Sequence, residues 1–276
     1  MLKICESYAA EHDLMFNGAK SKLLIFNPNK VFENDDPKLE LNGEFIPNVK
    51  SAVHLGNILH VTNNQECIDE GIKTFNRQAN MFLSRFKTCS PSVRSKLFQQ
   101  YCMSLYGSQL WPLWSNKLDT LKTKFSIALR RVWSLPAMTH RNLLPLISGM
   151  HPLEVAIQSR IHKFVKSLDE SENKIVKYIV KYAATASGST LGRNIRILSF
   201  RMNKTYEEML DLSAQKVKEI LIEIWRKEIY EDYFSRADVI KELLLVKENL
   251  LTIDFGSHRV MDIISCEFIV NNLCVF

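Results

Sequence analysis

Glu66-Cys-Ile-Asp-Glu-Gly-Ile-Lys-Thr-Phe-Asn-Arg-Gln-Ala-Asn-Met-Phe-Leu-Ser-Arg-Phe86 is where the hydrophobic pattern changes. Within it Ile72, Phe75, Ala79, Phe82, Leu83 and Phe86 recur at helical intervals, marking one apolar stripe that ends near Cys89. Downstream the helical period persists. Ser90-Pro91 restarts the chain, with Ser90 as N-cap and Pro at the first helical position. Val93, Leu97, Tyr101 and Leu105 then give an inward stripe at intervals of four. The next helix runs from about Lys117 to Leu135-Pro136, with Leu118, Leu121, Phe125, Ala128, Leu129, Val132 and Trp133 inward. Further helices are expected at 151–168, 170–184, 203–210, 213–235 and 237–250, with a last one from about Arg259. Thr185–Thr190 is the most linker-like stretch.

Upstream of Glu66 the signals are shorter. Leu2 to Leu14 reads as a small amphipathic helix, and Ser21 to Phe26 as an apolar strand interrupted by Asn27-Pro28. Asn42-Gly43 between Leu39, Leu41 and Phe45 is a hairpin signal, because both turn residues tolerate positive φ. Ala52 to Leu59 is a further strand, with Val53, Leu55 and Ile58 expected inside and Gly56 marking a bulge. The fold class is therefore mainly α, with a small β-containing segment at 1–62, basic helices at 63–136 and a helical region at 137–276.

Composition agrees. Of 276 residues, 46% are hydrophobic and 24% charged, the balance of a chain that folds around a core. Nine glycines and eight prolines are too few for a turn-rich β architecture. No apolar run reaches the roughly 18–20 residues that span a bilayer, and the first residues lack a signal-peptide layout. The expected setting is intracellular, nucleus or cytoplasm undetermined, with no membrane partner. Six scattered cysteines without a C-x-x-C pair are then reduced, and Cys266, Cys274 and His258 do not match zinc-ligand spacing.

The net charge of +6 conceals an asymmetry. Residues 71–166 hold fifteen Lys or Arg and only two acids, Asp119 and Glu154; the remainder has twenty-one basic and twenty-eight acidic side chains. A net +13 over consecutive helices is the footprint expected for a polyanion partner. Lys73, Arg77, Arg85, Lys87, Arg94 and Lys96 occupy one acid-free window, and Lys117, Lys124 and Arg131 repeat every seven residues along one helix. These nine are the candidate nucleic-acid contacts; phosphate binding needs such charges and no fixed spacing. Tyr101, Tyr106, Trp111 and Trp114 are candidates for stacking on bases, although aromatics at helical spacing more often fill a core.

Order and spacing add a resemblance. Glu11-His-Asp-Leu-Met-Phe-Asn17-x-x-Lys20-Ser21 with Leu-Leu-Ile-Phe26, the Leu41-Asn-Gly hairpin and His54-Leu-Gly56 come first. Leu97-Phe-Gln-Gln-Tyr101-Cys-x-x-Leu-Tyr-Gly107-x-Gln-Leu-Trp111, Ala128-Leu-Arg-Arg131 and Leu135-Pro136 follow. Over roughly residues 1–170 the chain resembles the C-terminal part of a non-LTR (LINE-type, jockey-like) retrotransposon reverse transcriptase, an RNA-directed DNA polymerase. The resemblance implies the end of a palm at 1–62, a thumb at 63–136 and a helical C-terminal region at 137–276. It implies that Lys20 is the palm lysine near the nucleotide phosphates, that His54, Leu55 and Gly56 form a primer-grip hairpin, and that an RNA/DNA template–primer is the partner.

The family's metal aspartates have no counterpart. Two-metal polymerases hold two Mg²⁺ ions about 4 Å apart on paired carboxylates. Here Asp35-Asp36 lies in a polar loop before Pro37, and Glu231-Asp232 on a helix face. Measured against the family, the sequence begins about one helix beyond those aspartates, so no catalytic residue, metal or cofactor is expected and the chain is not expected to polymerise alone. What remains is template–primer binding. The alternatives are a helical protein-interaction module, self-associating through surfaces a complete palm would cover, or the non-functional product of a decayed element.

Overall fold

The computed structural model describes residues 2–26, 38–61, 65–185 and 188–234. The expected Asp35-Asp36 loop, the helices at 237–250 and beyond Arg259, and Cys266, Cys274 and His258 lie outside the described residues. So does the middle of the linker-like stretch. The described residues are mainly helical, 65% helix against 7% strand. It divides into two compact units, Met1–Cys67 and Ile68–Phe276.

The first unit opens with helix α1 (Leu2–Glu11) and a 3-10 turn at Gly18–Lys20. Strands β1 (Glu40–Leu41) and β2 (Glu44–Phe45) pair antiparallel around Asn42-Gly43, whose φ values of 54° and 76° are those of a two-residue hairpin turn. Strands β3 (Ser51–His54) and β4 (Asn57–His60) form a second hairpin, with His54 opposite Asn57. Two expectations fail here. Gly56 (φ 76°) is no bulge; with Leu55 (φ 48°) it is the hairpin turn itself. Val53 and Leu55 point outward, 71% and 78% exposed, because a free two-stranded ribbon has no layer to bury them against. Nor is Ser21–Phe26 a strand. Leu23 alone pairs, through one parallel bridge to Asn48, accepting from Val49 and donating to Pro47. Pro47 has no N–H to extend the ladder. Of the hydrophobic residues described here only Ala9 and Leu41 are fully buried, so this unit has scarcely a core.

The second unit is built of helices. Helix α2 (Gln65–Arg85), which starts in the last residues of the first unit, is followed by α3 (Pro91–Cys102) and α4 (Lys117–Trp133). Their shared core is aromatic. Phe98 lies 6.1 Å from Phe75, 5.6 Å from Phe82 and 6.3 Å from Phe125, so all three helices meet on one ring. That ring fixes the face of α3. Ser95, Phe98 and Cys102 point inward; of the expected Val93–Leu97–Tyr101–Leu105 stripe Leu105 is buried and Leu97 half-buried, while the other two face outward. Val93 and Tyr101 are 44% and 58% exposed, and the helix ends before Leu105. Phe98 has more apolar surface to bury than Val93, and a rotation of one residue follows.

Beyond α4 lie α5 (Leu144–Ser148), α6 (Leu153–Asp169), α7 (Lys174–Thr185), α8 (Thr190–Met202), α9 (Tyr206–Asp211) and α10 (Ala214–Phe234). α6 is the hub, packing on α7, α8 and α10. Helix α8 was not anticipated. Ser189 caps its start by accepting from Gly192 N at 3.0 Å, and Asn203, left-handed at φ 52°, ends it. Thr205 and Glu208 form a reciprocal capping box on α9. Trp111 is buried to 1% in the connection between α3 and α4. Buried Asn194 of α8 holds that connection, donating to Trp111 O at 2.9 Å and accepting from Leu113 N at 3.0 Å. Arg160 of α6 binds the carbonyls of Met103, Ser104 and Leu105, the last at 2.9 Å, where α3 has run out of helical donors.

Candidate nucleic-acid interface

The cations follow from the aromatic core. Once Phe75, Phe82, Phe98 and Phe125 turn inward, the remaining faces of α2 and α4 carry the polar side chains outward. Two bonds set the helices side by side. Lys117 at the start of α4 pairs with Asp69 near the start of α2. Arg131 near the end of α4 donates to Asn80 Oδ1 at 3.0 Å. The helices therefore run in the same direction, and Lys117, Lys124 and Arg131 line the seam between them. Lys73 and Arg77 lie on the adjoining edge of α2.

Two carboxylates just outside the acid-poor block fold back onto it. Glu70 accepts from Arg77 at 3.0 Å and stands 3.7 Å from Lys73, while Asp69 takes Lys117. Three of the nine candidates are thus partly neutralised. Among the described residues no carboxylate pairs with Arg85, Lys87, Arg94, Lys96, Lys124 or Arg131. Of these Arg94 is only half exposed, with its Nε buried and unpartnered. The nine do not form one contiguous patch. Arg85 lies on the side of α2 away from the seam, Lys87 follows the end of α2, and Arg94 and Lys96 ride on α3.

Other cations of the block serve the fold. Both of its acids converge on one lysine: Lys122 pairs with Glu154 and, at 3.1 Å, with Asp119. Glu154 also faces Arg201 at 3.7 Å, and Arg201 pairs with Glu228 at 2.7 Å. Arg130 donates twice to Thr139 O, at 2.9 and 2.7 Å, with burial and neighbouring Arg141 pulling its pKa down. Lys166 donates to Leu210 O and Leu212 O. A cavity of about 170 Å³ beside the Lys122–Glu154–Arg201 network is lined by Leu118, Ile157 and buried Gln158.

The aromatic candidates divide. Trp111 is core, packed against Gly71 of α2. Tyr101 is exposed and stacks on Phe86 at 5.9 Å and 27°, between the chain positions of Arg85 and Lys87. Trp114 is 43% exposed and lies 5.1 Å beneath the Arg193 guanidinium, a cation–π contact. Tyr106 is 64% exposed.

In the first unit, the Asn17-x-x-Lys20-Ser21 spacing has a local cause. Asn17 Oδ1 accepts from Lys20 N at 3.0 Å and Ser21 Oγ donates to Asn17 O at 3.0 Å, closing the 3-10 turn that presents exposed Lys20. His54, Leu55 and Gly56 form the exposed tip of the β3–β4 hairpin. Among the described residues no three of His, Cys, Asp and Glu gather as metal ligands, and no helix is long and apolar enough to cross a membrane. Comparison of the chain with family models, with curated proteins and with solved structures returned no match.

Proposed function

We propose that this chain is a polynucleotide-binding module, akin to the thumb and C-terminal region of a LINE-type reverse transcriptase, that grips an RNA–DNA template–primer duplex on its α2–α4 cations. The supporting observation is the α4 line. Lys124 and Arg131 sit one heptad apart beside the α2 edge, without a carboxylate among the described residues, while the acids of the block are consumed by Lys122. A row of unneutralised cations along a rigid helix matches a phosphate backbone and carries no base specificity. By the resemblance alone, the Lys20 turn corresponds to the palm lysine and the His54–Gly56 tip to the primer grip.

The test is affinity for a labelled RNA–DNA hybrid against salt concentration. The double variant Lys124→Gln/Arg131→Gln should flatten the log–log slope by about 1.4–1.8, at roughly 0.7–0.9 per phosphate contact. An unchanged slope rejects the α4 line as the grip. If instead the wild-type chain shows no salt-sensitive binding but a concentration-dependent mass by light scattering, the protein-interaction reading takes its place.

A further inference from the structure

Asn173 to Tyr206 contains no Asp or Glu and seven Lys or Arg, a second acid-free window beyond the block already described. Helix α7 begins it, and its solvent side is unusual. Only Val180 and Ala183 are buried, while Tyr178 and Tyr182 are 70% and 63% exposed and stack on each other at 6.4 Å and 15°. Lys174, Lys177 and Lys181, three and four residues apart, form a row immediately beside the tyrosines on the helix surface. Ile175 and Ile179 flank the other side, also exposed.

A soluble helix gains nothing by holding two parallel aromatic rings in water beside three cations. A second copy of the same face would bring three lysines against three lysines, which opposes self-pairing. A polyanion with exposed π-faces satisfies both stripes: phosphates meet the lysine row while unpaired bases meet the rings. In a duplex the bases are stacked away from such a helix, so the tyrosines select unpaired strands. We infer that the exposed face of α7 is a second, separate nucleic-acid site that binds single-stranded RNA or DNA by stacking on Tyr178 and Tyr182. It does not depend on the α2–α4 duplex grip.

The experiment measures binding of the full chain to a labelled oligo(dT) of about 16 nucleotides and, in parallel, to an RNA–DNA hybrid. Tyr178→Ala/Tyr182→Ala should weaken oligo(dT) binding by about thirtyfold or more and leave hybrid affinity unchanged. Tyr178→Phe/Tyr182→Phe, which keeps the rings, should retain it. Lys174→Gln/Lys177→Gln/Lys181→Gln should lower the single-strand salt slope by about 2. Lys124→Gln/Arg131→Gln should do the reverse, harming the hybrid and sparing oligo(dT), so the two sites succeed or fail separately. Oligo(dT) affinity indifferent to the tyrosines overturns the inference. So does a fall in oligomer mass in the alanine variant with no change in oligo(dT) affinity, since that makes the face a protein interface.

Discussion

Gly71 stands inside α2, where glycine costs up to about 1 kcal/mol relative to alanine. Propensity alone therefore expects Gly71→Ala to stabilise the protein. The structure expects the opposite. A Cβ at this position would lie 2.4 Å from Cζ2 and 2.7 Å from Cη2 of Trp111, well inside contact distance. Trp111 cannot retreat, being 1% exposed with its carbonyl bound to Asn194. Overpacking of this kind costs about 1–3 kcal/mol. Set against the propensity gain, the net is a loss of up to about 2 kcal/mol, read as a lower urea midpoint with unchanged m and a Tm lower by up to about 8 °C. Trp111→Phe removes the clashing atoms, so in that background Gly71→Ala should become neutral or stabilising, a coupling of about 1–3 kcal/mol. A stabilising Gly71→Ala in the wild-type chain would refute the reasoning.

Other consequences follow from buried polar groups and strained turns. Asn194→Ala should cost about 2–4 kcal/mol in urea unfolding, since it orphans the Leu113 N–H and the Trp111 carbonyl together; a loss below about 0.5 kcal/mol would show that these groups find other partners. His162 is fully buried, with Nε2 bonded to Met209 O at 2.9 Å and Nδ1 without a partner. Burial holds its pKa below the usual 6.5, so the unfolded chain binds more protons and stability should fall as pH drops below about 6.5; His162→Gln should flatten that decline, and an equal decline in both would reject His162 as its source. Leu55→Asn should relieve the left-handed strain of the β3–β4 turn by about 0.5–1 kcal/mol, slowing amide exchange across Ala52–Leu59 by about two- to fivefold; unchanged exchange would show that Leu55 is not strained.

Local sequence determines structure where one physical term dominates, and tertiary neighbours override it elsewhere. The α2 and α4 stripes were legible because their apolar residues match the helical period and no competing face exists. Asn42-Gly43 was legible because positive φ suits those two residues. The α3 face was misread: periodicity offered Val93–Tyr101, and only the three rings around Phe98 reveal that the helix is turned. Helix α8 was hidden by Gly188 and Ser189 in the linker-like stretch, although Ser189 is its N-cap. In the candidate interface the charge excess was visible, its cancellation was not. Glu70 meets Lys73 and Arg77 along its own helix, and the fold brings Asp69 to Lys117. The α7 stripe has a sequence signal in the acid-free run to Tyr206, outside the basic block at 71–166.

Lysine acetylation footprinting with mass spectrometry tests the central claim most directly. The full chain is acetylated briefly with and without saturating RNA–DNA hybrid. Lys87, Lys96 and Lys124 are exposed and without a carboxylate partner among the described residues, whereas Lys216 and Lys227 pair with Glu219 and Glu223 on α10. The account predicts that hybrid slows acetylation of Lys124 most and of Lys87 and Lys96 measurably, leaving Lys216 and Lys227 unchanged. Equal protection of all five, or none at Lys124, would contradict it.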